Sequence, residues 1–275
     1  MFRRLWLAAA LAAYPGVAFA APRMYVHDAG GNLGTVDVES GDVDLIGPMG
    51  FQMTDIAFDP TGNLFGITFN DLYSIDADTA ASTLIGRHSV PGGNALVFGS
   101  NGTLYSAGNA SRNLFSIDSA SGATSSLGEI GFQSAGDLAF SGEDFFLASR
   151  TNELVKIDLD NLENTEAVGG FGVGNVFGLA TAEDDTLYAV SGGSIYTVDT
   201  VSGRATDPVN FSGQGLSQAF GQSFFAEALP EPPVEPPVEP PVEPPVEPPA
   251  SVPEPGTLGF LSLAAVIGVI TKRRS

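Results

Sequence analysis

Leu72-Tyr73-Ser74-Ile75-Asp76, a polar turn, and then Thr83-Leu84-Ile85-Gly86 form the stretch on which the fold turns. Two short β-prone runs separated by a few turn residues read as a hairpin. Upstream lie Asp55-Ile56-Ala57-Phe58 and Leu64-Phe65, divided by Asp59-Pro60-Thr61-Gly62-Asn63, another turn composition. The same words recur along the chain. An apolar–aspartate pair closes a short strand at Val36-Asp37, Ile75-Asp76, Ile117-Asp118, Ile157-Asp158 and Val198-Asp199, at spacings of 39, 42, 40 and 41 residues. In phase with these come Ala95-Leu96-Val97-Phe98, Asp137-Leu138-Ala139-Phe140, Gly178-Leu179-Ala180 and a weaker Ser217-Gln218-Ala219-Phe220. A third set is Leu104-Tyr105, Phe146-Leu147 and Leu187-Tyr188.

Each unit of about 40 residues thus holds four short strands joined by tight turns, the pattern of a β-propeller blade. In these short apolar words the repeat resembles quinoprotein-like and YVTN-type propellers, which implies the same fold and little about function. Four complete blades are predicted at about 52–86, 94–128, 135–168 and 176–209. An inner pair at 216–228 and an outer pair at 33–46 would form a fifth blade from the two ends of the chain. One strand is then left over, because Met24-Tyr25-Val26-His27 and Phe224-Phe225-Ala226-Glu227 both suit the second position. Five blades is the favoured count, and six, one incomplete, is the alternative.

The flanks have other compositions. Residues 1–20 read as a secretory signal peptide: a basic start (Arg3, Arg4), an apolar run from Leu5 to Tyr14, and Ala18-Phe19-Ala20 placing cleavage between Ala20 and Ala21. Residues 21–229 are the propeller, and 230–252 a linker in which Glu-Pro-Pro-Val repeats. Proline at half the positions favours polyproline II, a spacer of ~75 Å at ~3.1 Å per residue. Residues 253–275 open with Pro253-Glu254-Pro255, continue through an apolar segment at 256–271 and end on Lys272, Arg273 and Arg274. Those three parts in order resemble the tail of PEP-CTERM proteins, substrates of a membrane exosortase. The resemblance implies export across the inner membrane and a transient transmembrane helix with a cytoplasmic C-terminus. It further implies release to the cell surface or medium, in a setting of exopolysaccharide and other surface proteins. The basic end is consistent with that orientation.

Residues 21–229 carry 26 acidic and 6 basic side chains, which disfavours nucleic acid and anionic lipid as partners. With no cysteine and two histidines, His27 and His88, a zinc site of the usual kind is excluded. Both histidines read as surface or strand-end residues. The recurring aspartates 37, 76, 118, 158 and 199 read as acceptors for turn amides. One constellation suggests chemistry: Asp55, Asn94, Asp137, Asn175 and Gln218 sit at or near the starts of the innermost strands, which face the channel mouth. Oxygens converging there would suit Ca²⁺, with its six to eight oxygen ligands, and propeller lactonases use a metal in such a place. With no catalytic residues to name, the favoured expectation is a non-catalytic propeller serving as a binding or structural component of the extracellular polymer layer. The alternatives are a Ca-dependent hydrolase or lactonase-like enzyme and a protein-interaction platform at the cell surface.

Overall fold

The computed structural model describes residues 22–225, and these form an all-β ring of five four-stranded antiparallel sheets. Blade 1 comprises β4 (Asp55–Phe58), β5 (Leu64–Ile67), β6 (Asp71–Ile75) and β7 (Ser82–Arg87). Blade 2 comprises β8 (Gly93–Phe98), β9 (Leu104–Gly108), β10 (Asn113–Ile117) and β11 (Thr124–Glu129). Blade 3 comprises β12 (Ser134–Ser141), β13 (Asp144–Ser149), β14 (Glu153–Ile157) and β15 (Glu166–Gly170). Blade 4 comprises β16 (Val176–Thr181), β17 (Leu187–Ser191), β18 (Ser194–Val198) and β19 (Ala205–Asn210). Blade 5 is built from both ends of this region, in the order β20 (Ala219–Ser223), β1 (Arg23–Asp28), β2 (Asn32–Asp37) and β3 (Val43–Pro48).

Burial explains why each strand takes its place. The innermost strands β4 and β8 are buried at every residue, whereas the outermost β7 and β11 are half-buried or exposed throughout. The innermost strands touch in ring order, β4 to β8 to β12 to β16 to β20 and back to β4. Between each pair of neighbouring blades lies one apolar cluster. Ile67, Leu72, Leu96 and Phe98 pack between blades 1 and 2, and Phe146, Leu154, Phe171 and Leu187 between blades 3 and 4. No blade buries its faces alone, so the sheets hold one another.

Ring closure differs from the expected two-plus-two pairing. Only β20 comes from the C-terminal side; Tyr25, Val26, His27 and Asp28 pair with Ser223, Gln222, Gly221 and Ala219. Met24–His27 therefore takes the second position, and Phe224 and Phe225 lie beyond the last strand. The reason is packing: Met24 and Val26 are fully buried among Val190, Ile195 and Phe211 of the blade 4–5 cluster. Five blades, not six, satisfy every strand of the ring. The expected signal peptide with its cleavage between Ala20 and Ala21, the expected linker, the Pro253-Glu254-Pro255 motif, the apolar segment and the basic end all lie outside the described residues.

Four of the recurring aspartates organise near-identical turns. Backbone amides of Ser40, Thr79 and Ser202 donate to Asp37, Asp76 and Asp199, and Ala120 N–H to Asp118, all at 2.8–3.0 Å. In the fifth, Asp158, the carboxylate accepts Asp160 and Asn161 amides, but the turn beyond it is different.

Candidate functional site at the propeller axis

Several polar residues of the innermost strands join one blade to the next. Asp55, the first residue of β4, accepts Ile56 N–H at Oδ1 (2.8 Å) and Leu96 N–H of β8 at Oδ2 (2.6 Å). Asp137 of β12 repeats the device, accepting Leu138 N–H (2.7 Å) and Leu179 N–H of β16 (2.8 Å). Asn94 Nδ2 reaches Ser134 O across the blade 2–3 junction at 3.5 Å. Gln222 Nε2 donates to Tyr188 O between blades 5 and 4 (3.2 Å), and Phe58 N–H donates to Ser223 Oγ between blades 1 and 5 (3.3 Å). Each of the five junctions is thus crossed by a side chain-to-backbone bond from an innermost strand.

Asp55 and Asp137 belong to blades that are not neighbours, yet their carboxyls hydrogen-bond to each other across the axis. Both are buried, 0% and 1% exposed. Burial, then the adjacent Asp55 charge and the bond between them, pushes the Asp137 carboxyl well above the usual range. Two ionised carboxylates in such surroundings repel, so the pair favours holding a proton.

His27 of β1 stands near Asp55, the two closing on the same glycine, Gly221. It is fully buried, and burial depresses its imidazole to about 4 against a weaker opposing pull from Asp28. Both ring nitrogens are without a hydrogen-bond partner among the described residues, as are Asn94 Oδ1, Ser134 Oγ, Thr181 Oγ1 and Gln222 Oε1. A Cβ on Gly221 would run into Asp55 Oδ1 and lie 2.5 Å from His27 Nε2, so glycine is what permits the close approach. His88 is also buried rather than exposed, its Nδ1 accepting Val90 N–H (3.3 Å) and its Nε2 2.9 Å from Thr68 O.

Of the five residues expected to rim the channel, Asp55, Asn94 and Asp137 are buried on innermost strands. Asn175 and Gln218 precede β16 and β20 and are exposed, Asn175 in a left-handed conformation at φ 57°. The oxygens of both aspartates already accept amide bonds, and among the described residues no three His, Asp or Glu side chains group as metal ligands. That donor set does not fit an ion requiring six to eight oxygens. Sequence reading took His27 for a surface or strand-end residue, whereas it is fully buried, and overlooked Gln222 and Ser223. The available signal was a polar residue in an otherwise apolar strand, in His27's case within Met24-Tyr25-Val26-His27.

Among solved structures, the chain is similar to one in a nidogen/laminin complex, at 12% identity and a TM-score of 0.50 over 76% of this chain and 87% of that one. It is also similar to a structure described under the de novo evolutionary emergence of a symmetrical protein, with 16% identity, TM-score 0.48, and 75% and 95% of the two chains covered. A third is virginiamycin B lyase from Staphylococcus aureus, with 12% identity, TM-score 0.43, and 70% of each chain covered. The first likeness supports the propeller fold alone. No protein-family model and no curated protein matches the chain.

Proposed function

We propose that this chain is an exported, surface-sorted propeller that serves as a non-catalytic binding or structural component of the extracellular polymer layer. One observation carries the reading of the body. At the axis, each buried carboxylate accepts amides from two blades and so works as a staple of the ring. Groups so engaged are held by the fold and are not presented to a substrate. The terminal segments support the address: a signal peptide cleaved between Ala20 and Ala21, a proline-rich spacer, and a Pro253-Glu254-Pro255 tail ending on Lys272, Arg273 and Arg274. The acidic body, at 26 acidic against 6 basic side chains over 21–229, suits a soluble component of a hydrated matrix.

The test is fractionation of the full chain in a bacterium that has an exosortase, beside a variant with Pro253, Glu254 and Pro255 changed to alanine. The expected result is wild-type protein in the surface and matrix fractions, shortened by the mass of the tail. The variant is expected at full tail length in the membrane fraction. Equal distribution and equal mass of the two would overturn the sorting role. Loss of matrix retention when exopolymer synthesis is removed supports the polymer-layer role, and unchanged retention refutes it.

A further inference from the structure

The five-fold repeat supplies its own internal controls, and one blade junction departs from the others. At four junctions the turn between the two outer strands of one blade packs by its backbone onto the outermost strand of the blade before it. A Cβ on Gly86 of β7 would strike Ser121 O, and one on Gly169 of β15 would strike Ser202 O. Likewise a Cβ on Gly41 would strike Asn210 O of β19, and one on Gly47 of β3 would stand 3.7 Å from Thr79 O. These turns share one build: the amides of Gly41, Ala80, Gly122 and Gly203 donate to the carbonyls of Asp37, Asp76, Asp118 and Asp199. The fifth residue of each turn is left-handed, with Ala80 at φ 61° where the others have glycine.

Blade 3 breaks this pattern. From Asp158 to Thr165 its turn is two residues longer, carries no glycine, and folds into a single 3₁₀ turn at Leu162–Asn164 capped by Asn161. Instead of backbone, the side chain of Leu162 meets the neighbouring strand, its Cδ1 2.9 Å from where a Cβ on Gly128 would stand. An open cleft of about 870 Å³ results between β11 and this turn, within the ~300–1,000 Å³ range of ligand pockets. Its walls combine Leu127, Leu159 and Leu162 with Glu129, Asp160 and Glu163. Leu127 and Leu159 are 44% and 41% exposed, and none of the three carboxylates forms an ion pair among the described residues. No basic residue lines the cleft, and Thr165 Oγ1 in its wall is buried without a hydrogen-bond partner.

We propose that this cleft between blades 2 and 3 docks a short polypeptide segment in which lysine or arginine alternates with aliphatic side chains. Three unpaired carboxylates beside exposed leucines complement a cation on a neighbouring apolar residue. Apolar contacts provide area, and the charges provide selectivity and register. The proposal gives the binding part of the function above a place on the molecule and rests on that part alone. Its test uses purified protein, so its failure is separable from a failure of sorting.

The experiment is fluorescence anisotropy of the purified full chain with labelled Leu-Lys-Leu-Lys-Leu-Lys. The comparison probes are Leu-Glu-Leu-Glu-Leu-Glu, Ser-Lys-Ser-Lys-Ser-Lys and a neutral oligosaccharide, maltohexaose. The expected result is binding of the first probe at least about tenfold tighter than any other. Asp160→Asn with Glu163→Gln should weaken it about tenfold. Exchanging residues 159–165 for the five residues that follow Asp199 should remove it, with far-UV circular dichroism unchanged. Should that exchange not fold, Leu159→Arg takes its place and should abolish binding equally. As a charge-matched control, Glu39→Gln with Glu183→Gln should leave binding intact. Equal weakening by the control, binding that survives the cleft variants, or cleft-dependent binding of maltohexaose alone would overturn the proposal.

Discussion

Replacing Asp137 by asparagine should change how stability depends on pH, in a direction the axis geometry dictates. Asparagine keeps one carbonyl oxygen, so one of the two amides held by Asp137, Leu138 N–H or Leu179 N–H, loses its acceptor. Leaving a buried donor unpaired costs about 1–3 kcal/mol. Below about pH 4 the wild-type carboxyl is protonated both folded and unfolded, and the variant is the less stable by that amount. The folded carboxyl sits well above its ordinary value because of burial and Asp55, so folding takes up a proton as pH rises. The contribution of Asp137 to wild-type stability therefore falls from about pH 4 upward by as much as ~1.4 kcal/mol per pH unit, levelling off above the folded pKa. Asp137→Asn has no such loss. The wild-type advantage should therefore shrink as pH rises above 4. Groups shifted the other way, such as Asp28 and Asp59, titrate alike in both proteins and cancel in the difference. The assay is urea unfolding followed by circular dichroism at half-unit steps from pH 4 to 8, because the body lacks tryptophan. Parallel curves for the two proteins would refute a shared proton between Asp55 and Asp137.

Two further outcomes follow from the same neighbourhood. Gly221→Ala puts a methyl group into Asp55 and His27, and overpacking of this kind should cost about 1–3 kcal/mol and lower Tm, read by thermal unfolding at pH 7; an unchanged Tm would mean the axis has room to give. The His27 imidazole is depressed to about 4, so its contribution is complete above its unfolded value and lost as pH falls from about 6.5 to 4, some 3 kcal/mol in all. His27→Leu should flatten that limb of the stability–pH curve, and an unaltered limb would show that the histidine is not neutral in the fold.

Blades 1 to 4 were legible because each repeats the same words in the same phase, and burial of the innermost strands enforces the order in which those words are used. The last blade was legible only in part. Met24–His27 and Phe224–Glu227 are equally good strand words, and local pattern carries no information on which of them meets β20. The choice was made by pairs such as Val26 with Gln222, far apart in the chain, and by the clusters that bury Met24. Asp55 and Asp137 were found as members of the innermost strands, but their role could not be read there. A carboxylate's suitability for a cation depends on how many of its lone pairs are free. That is decided by Leu96 and Leu179, 41 and 42 residues downstream. His27 was missed for the related reason that a polar residue at a strand end looks exposed until the partner strand is known.

The distribution of polar residues also says where a ring of this size can vary. At the axis, five side chain-to-backbone bonds and a close glycine contact leave little that can change without loosening two blades at once. At the rim, each outer turn touches only one neighbouring strand, so a change there alters one junction and leaves the other four intact. The longer turn after Asp158 is such a change. It was visible in the sequence as eight residues, Asp158 to Thr165, before the next strand where the other blades have six. The departure matters because it is single: drift alone would loosen rim turns in several blades, whereas four keep the same aspartate turn and its backbone contact. A loop that exposes leucine beside unpaired carboxylates costs solubility and contributes no blade-to-blade backbone contact in return. That cost is offset if the cleft is occupied, which makes the rim between blades 2 and 3, and not the axis, the place to look for this protein's partner.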